Sequence, residues 1–158
     1  MRKAWRRIWR LLLLAAGVAL VATVLQVLAL RWLEPRNTAW MKLRERQARE
    51  QNREYQVRHT WLPLARIPRP VRDAVVAAED GKFWQHNGFD WEAIRAARDR
   101  NERAERIKRG GSTITQQLAK NLFLSPRRSY VRKAREAVIT ACMELLLPKE
   151  RILELYLN

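Results

Sequence analysis

The clearest pattern in the chain is an uninterrupted apolar run, LLLLAAGVALVATVLQVLAL, from Leu11 to Leu30, which holds no charged residue. As a helix rising about 1.5 Å per residue it would span about 30 Å, the thickness of a bilayer's hydrocarbon core. A cleaved signal sequence would carry a shorter apolar stretch of roughly 7 to 15 residues followed by small residues. Here Arg31 and Trp32 follow instead. The run therefore predicts an uncleaved transmembrane anchor, with Trp5, Trp9 and Trp32 near its ends, where amphipathic rings settle at headgroup depth.

Past the anchor the pattern is helical throughout, and no strand signal or repeat appears. Residues 31–67 are basic and polar, and Met41 to Arg53 reads as an exposed helix or a flexible linker, a spacer with a solvated face. Pro68 and Pro70 preset a helix start, and Val71, Ala74, Val75 and Ala78 then fall at i, i+3, i+4 and i+7, predicting one buried face. That helix ends in Glu79 and Asp80, with Gly81 as its expected C′ residue. After the loop GKFWQHNGF, Asp90 is placed to cap WEAIRAAR, and Phe89 could staple onto Ile94. Gly110 and Gly111 open the next helix, capped by Ser112 or Thr113. Thr113 with Gln116 fits a capping box, and Ile114, Leu118 and Leu122 mark the buried stripe before Pro126 ends it. Ser129 is placed to cap YVRKAREAVITACMELLL, with Ala134, Val138, Ala141, Cys142 and Leu145 expected inward, and Pro148 separates a last helix, KERILELYL. The chain thus divides into a basic tail 1–10, an anchor 11–30, a juxtamembrane linker 31–67 and a mostly α domain 68–158.

Charge changes the picture next. There are 32 Lys and Arg against 16 Asp and Glu, a formal charge of +16, which excludes an acidic or disordered acidic class. The single cysteine, Cys142, forbids an internal disulfide framework and a cysteine-based structural zinc site. The basic flanks of the anchor nearly tie. The short tail with Arg2, Lys3, Arg6, Arg7 and Arg10 decides the orientation, because long following domains translocate regardless of their charge. The N-terminus is accordingly expected in the cytoplasm.

Two acidic positions stand out against this background. Glu79 and Asp80 at a helix C-terminus oppose the helix dipole, a locally unfavourable placement that hints at function. Glu136 shares a helix face with Arg132 and Lys133, away from the Ala134/Val138 stripe, an arrangement that reads first as an ordinary surface ion pair. Eleven of the 36 residues from Arg100 to Arg135 are Lys or Arg, against the two acids Glu102 and Glu105. With GGST opening a helix, whose free N–H groups favour anions, this describes a phosphate-binding surface. It is not a nucleotide P-loop, since no GK[ST] ending is present, and scarce aromatics argue against a nucleic-acid partner. Beside a membrane anchor, a lipid phosphate is the fitting anion.

The strings AAEDGKFWQHNGFD, RGGSTITQQLAKNLFL, RRSYVRKAREAV and KERILELYLN resemble, in order, successive motifs of the peptidoglycan glycosyltransferases, glycosyltransferase family 51. The separate anchor and the passage NERAERIKRGGSTI resemble its monofunctional members rather than the N-terminal half of a bifunctional penicillin-binding protein. The resemblance implies a lysozyme-like helical domain on the periplasmic side of the bacterial inner membrane, joining lipid II into the glycan strands of cell-wall peptidoglycan and so contributing to cell shape. The growing chain would be the donor, undecaprenyl diphosphate the leaving group, and the 4-hydroxyl of incoming lipid II the acceptor. Carried over motif by motif, it makes Glu79 the general base, with Asp80, Phe83, His86 and Asp90 shaping its site. Ser112, Thr113, Gln116, Gln117 and Lys120 would line the cleft, with Arg128, Arg132 and Lys133 joining Lys120 on the donor diphosphate. Glu136 would be a second catalytic acid, organising the diphosphate region or a divalent metal such as magnesium. No cofactor is otherwise required, and other cell-wall synthesis and division proteins are the expected protein partners.

Three departures from the family pattern accompany this reading. Pro148 precedes Lys149 where a Ser-Lys pair is usual, a change expected to shift the start of the last helix. The charged connection before Gly110 has too few apolar residues to be rigid and reads as a mobile flap. The chain stops at Asn158, where family members continue, so the domain is expected to be incomplete. An inactive fragment, a membrane-tethered glycan-cleaving enzyme using the same carboxylates, and a noncatalytic basic interaction protein are the competing readings. The cation cluster disfavours glycan cleavage, which needs no diphosphate site.

Overall fold

The computed structural model describes residues 2–35, 38–54, 59–103, 111–127 and 129–158, and among them it contains α-helices, one short 3-10 turn and no strand. In chain order these are α1 (Arg2–Ala29), α2 (Ala39–Glu50), the 3-10 turn Leu64–Arg66, α3 (Arg69–Glu79), α4 (Trp91–Arg103), α5 (Ile114–Phe123), α6 (Tyr130–Leu146) and α7 (Lys149–Leu157).

Helix α1 contains the one stretch among the described residues, Trp5–Ala29, that is long and apolar enough to cross a membrane. Its flank of Leu, Val and Trp side chains is open along most of its length, and only Val27 and Leu30 enter the core. The hydroxyl of Thr23 donates back to the Ala19 carbonyl at 2.8 Å, so this polar group of the apolar run is satisfied within its own helix. Arginines tie the two parts together: Arg151 donates to the Leu30 and Leu33 carbonyls just past α1 at 2.8 and 2.9 Å, and Arg31 donates to the Leu146 carbonyl at the end of α6 at 3.1 Å. Helix ends leave carbonyls without intrahelical partners, and these guanidinium groups serve as their donors.

The core is built by α5, α6 and α7, with Phe83, Ile114, Leu118, Ile139, Met143, Ile152 and Leu153 buried together. Each such side chain stabilises the fold by about 1.5 to 3 kcal/mol when fully removed from water. Packing crosses the linker as well. Trp61 and Leu64 lie against this core, and Arg151 sits over the Trp61 ring at 5.1 Å. Helix α2 packs on α5, with Trp40, Met41, Leu43 and Ala48 half-buried, so this stretch is more than a solvated spacer.

Several local expectations hold. Asp90 accepts from the Ala93 N–H at 2.8 Å, Thr113 and Gln116 form the full capping box of α5, and Ser129 accepts from the Arg132 N–H at 3.1 Å. Pro148 takes the N-cap position of α7.

Two face assignments are corrected. In α3, Val71 is 49% exposed, Ala74 and Ala78 are exposed, and Val76 is the buried residue. Burying Val76 and the Asp80 that follows it by four leaves Glu79, about 100° away on a helix, free to face outward. In α6 the stripe Ala134, Val138, Ala141 and Leu145 is exposed and Cys142 only half-buried, while Glu136, Ile139, Thr140 and Met143 are inward. The apolar stripe lies instead on the side of α1, where a cavity of about 630 Å³ runs between Ala16, Ala19, Thr23 and Val131, Ala134, Val138.

The end of α3 falls where expected: Asp80 is its C-cap and Gly81 holds the C′ position, though without left-handed geometry. The glycine that needs positive φ is Gly88, at +88°, where a Cβ would lie 2.8 Å from Thr140 Cγ2 and 2.9 Å from Glu144 Cγ. At Gly111 the reason is close approach: a Cβ there would meet the Ile94 backbone at 2.8 Å. Most of the charged connection read as a flap, residues 104–110, lies outside the described residues.

Candidate active site

The N-terminal halves of α5 and α6 present the same spacing to one shared space. Gln116, Gln117 and Lys120 on α5, and Arg132, Lys133 and Glu136 on α6, each occupy i, i+1 and i+4, which lie on one side of a helix. Together with Ser112, Pro126 and Trp40 of α2 they line a cavity of about 320 Å³. Three cations and one carboxylate face it, so its field is positive.

Glu136 is only 3% exposed and accepts from Arg132 Nη1 at 2.8 Å and from Lys133 Nζ at 2.5 Å. The surface ion pair expected from sequence is thus a buried one, because α6 turns this face inward; a buried carboxylate persists only when paired in this way. Lys120 makes no ion pair among the described residues, and two lining residues, Trp40 through Nε1 and Arg132 through Nε, keep buried donors without partners there. Unpartnered donors beside free positive charge suit an anion with several oxygens. A divalent cation does not fit at Glu136 as placed, since both its oxygens are occupied by cations. Among the described residues no group of three or more His, Cys, Asp or Glu side chains is set to hold a metal.

Glu79 sits at the edge of this cavity. Its Oε2 accepts from Gln117 Nε2 at 2.9 Å, and Gln117 lines the cavity beside Lys120, so one side chain joins the carboxylate to the cationic wall. The Tyr156 hydroxyl donates in turn to Gln117 Oε1 at 3.1 Å. Burial, reinforced by the negative charges of Glu79 and Asp80, raises the Tyr156 phenol above its ordinary pKa.

Asp80, His86 and Thr113 stand behind the cavity wall and fasten it. Asp80 Oδ2 accepts from the Ile114 N–H at 2.9 Å, placing its charge at the positive end of α5, while Oδ1 is 2.8 Å from His86 Nε2. The Gly88 N–H donates to His86 Nδ1 at 3.1 Å, which makes Nδ1 the acceptor and leaves the ring proton on Nε2, facing Asp80. Thr113 completes the ring by donating to the Gly88 carbonyl at 2.7 Å. This closed set of bonds ties the loop after α3 to the start of α5, and so sets Glu79 against Gln117. Phe83 is fully buried, with Lys149 Nζ 4.4 Å from its ring centre, and Asp90 serves as the cap of α4.

Of the sequence-predicted residues, the structure brings Ser112, Gln116, Gln117, Lys120, Arg132, Lys133 and Glu136 together around the cavity and Glu79 to its edge. Asp80, Phe83, His86, Asp90 and Thr113 support it without lining it, and Arg128 lies outside the described residues. Trp40 and Tyr156 were missed. A phenol beside buried aliphatics, in Ile152, Leu153, Leu155 and Tyr156, was the available signal for the second, because such a hydroxyl needs a partner. Trp40 stands in the stretch read as a spacer and had no comparable signal.

A carboxylate joined to a cationic cavity on a helical domain suits group transfer from a donor with an anionic leaving group. The sequence model of the family described as Transglycosylase matches residues 34–158, and the chain belongs to this family of glycosyltransferases. Its relatives narrow the class. It is 48% identical over 161 residues to the biosynthetic peptidoglycan transglycosylase of Azoarcus sp. (strain BH72), covering all of this chain and 70% of that protein. It is 48% identical over 132 residues to the protein of the same name from Dechloromonas aromatica (strain RCB), covering 84% of this chain and 57% of the relative. With that of Aromatoleum aromaticum it shares 46% identity over 150 residues, 94% of this chain and 65% of the relative.

Proposed function

We propose that the protein carrying this chain polymerises lipid II into peptidoglycan glycan strands, with Glu79 as general base and the cavity between α5 and α6 as the seat of the departing diphosphate. The 4-hydroxyl oxygen of the incoming sugar forms a bond to the anomeric carbon of the growing chain and gives its proton to Glu79. The bond from that carbon to the diphosphate oxygen breaks, and the lipid diphosphate leaves with the electron pair. A sugar hydroxyl is a weak nucleophile, so a positioned carboxylate contributes about 10² to 10⁴ in rate. Charge builds on the diphosphate as the bond breaks, so Lys120, Arg132 and Lys133 stabilise the transition state more than the ground state. Glu136 holds two of these cations in place. The apolar helix α1 supports a membrane-anchored reading, with the N-terminus in the cytoplasm and the domain on the periplasmic face of the inner membrane, where a lipid-linked substrate is met in two dimensions.

The observation that carries this reading is Gln117, which touches Glu79 and lines the cationic cavity at once. The test is Glu79→Gln in the full-length protein in detergent with labelled lipid II. Polymerisation should fall by at least about 100-fold while lipid II affinity stays unchanged. Near wild-type polymerisation would overturn the base assignment.

A further inference from the structure

The Gln117 amide can sit in two orientations, and only one serves an ionised carboxylate. Ionised Glu79 accepts hydrogen bonds and donates none, so the amide must turn its NH₂ toward Glu79 and its carbonyl away. The carbonyl then needs a donor on the other side. Tyr156 supplies it: its hydroxyl makes one hydrogen bond among the described residues, to Gln117 Oε1. Packing alone does not call for that oxygen, since a phenylalanine would fill the same ring volume beside Ile152, Leu153 and Leu155.

We infer that Tyr156 is a positioning residue for glycosyl transfer, its hydroxyl locking the Gln117 amide in the orientation that donates to Glu79. The chain of bonds runs Tyr156 O–H to Gln117 C=O, then Gln117 N–H to Glu79, with lengths of 3.1 and 2.9 Å. It joins three helices, because Tyr156 comes from α7, Gln117 from α5 and Glu79 from α3, and so makes the placement of the base's hydrogen-bond donor depend on how α7 is seated. Without the hydroxyl, the amide is free to rotate, and its carbonyl in the flipped orientation would meet the carboxylate oxygens. The raised phenol pKa agrees with this arrangement, since it keeps Tyr156 a donor across the working pH range.

This inference rests on Glu79 acting as the base, and the experiment separates the two. Y156F, Q117L, the Y156F/Q117L double variant and E79Q are assayed for kcat and KM in lipid II polymerisation, with lipid II affinity measured in parallel. Y156F should lower the rate at neutral pH about three- to tenfold, the worth of one hydrogen bond. The loss should fall on kcat and leave KM unchanged, as expected for an interaction that orients the base without binding substrate. Lipid II affinity should not change, and adding Y156F to Q117L should cause no further loss, because the two act through one chain. An unchanged kcat in Y156F, a loss that falls on KM instead, or a full additional loss in the double variant, would overturn the inference with E79Q still inactive; an active E79Q would instead remove the base reading beneath it. Should Y156F fail to fold, absorbance titration of the tyrosines decides. The Tyr156 transition should move to lower pH in E79Q relative to wild type, and an unmoved transition would place the phenol out of reach of Glu79.

Discussion

The two sides of α6 differ in a way that reverses the simplest reading of its sequence. The outward side carries the regular apolar stripe, with Val131 72%, Val138 46% and Leu145 84% exposed. The inward side mixes Ile139 and Met143 with Thr140 and the paired Glu136. Apolar spacing identifies a face that avoids water, but it does not say whether the core or another apolar surface covers that face. Next to a membrane-length helix there are two such destinations. Val131, Ala134 and Val138 face α1, Ile139 stands at the border of the two sides, and Ile139 and Met143, one turn apart, join the buried core.

Substitutions on the two sides should differ accordingly. Met143→Ala on the inward side should have the largest effect, about 2 to 5 kcal/mol of stability, because it opens a cavity where no solvent reaches. Denaturant unfolding in detergent measures it, and a loss below about 1 kcal/mol would break the assignment of this face to the core. Glu136→Gln should cost about 1 to 3 kcal/mol, since the amide keeps the volume but leaves Arg132 with a weaker partner, while half-exposed Lys133 can turn to water. Leu145→Ser should stay within about 0.5 kcal/mol, as befits a side chain already open; a loss matching that of Met143→Ala would restore the stripe to the core.

How much was legible in the sequence depends on the range of the interaction that decides it. Helix α5 was readable almost entirely, because a capping box is a contact over three residues and Thr113 and Gln116 carry both halves of it. The same is true of the Asp90 and Ser129 caps. Gly81 was legible as the residue after the α3 cap, but the demand for glycine at Gly88 was not, because it comes from Thr140 and Glu144, more than 50 residues away. Trp40 and Trp61 were passed over for a related reason: the linker that holds them looks polar on average, and their burial is supplied by α5 and by Arg151.

The site divides along the same line. Residue types and short spacings sufficed to single out Glu79, Lys120, Arg132, Lys133 and Glu136, since carboxylates and clustered cations keep their chemistry in any fold. Their joining did not follow from the sequence: that Gln117 bridges Glu79 and the cationic wall, that Tyr156 donates to it, and that Asp80 and His86 fasten the loop behind them are contacts across 6 to 39 positions. By itself the sequence determined the helices, their caps, the membrane-length apolar helix and the charges available for chemistry, all fixed by covalent neighbours within a turn or two. Which face of each helix turned inward, and which side chains met at the site, was left to tertiary packing, because several apolar surfaces competed for the same faces and only the assembled helices could choose between them.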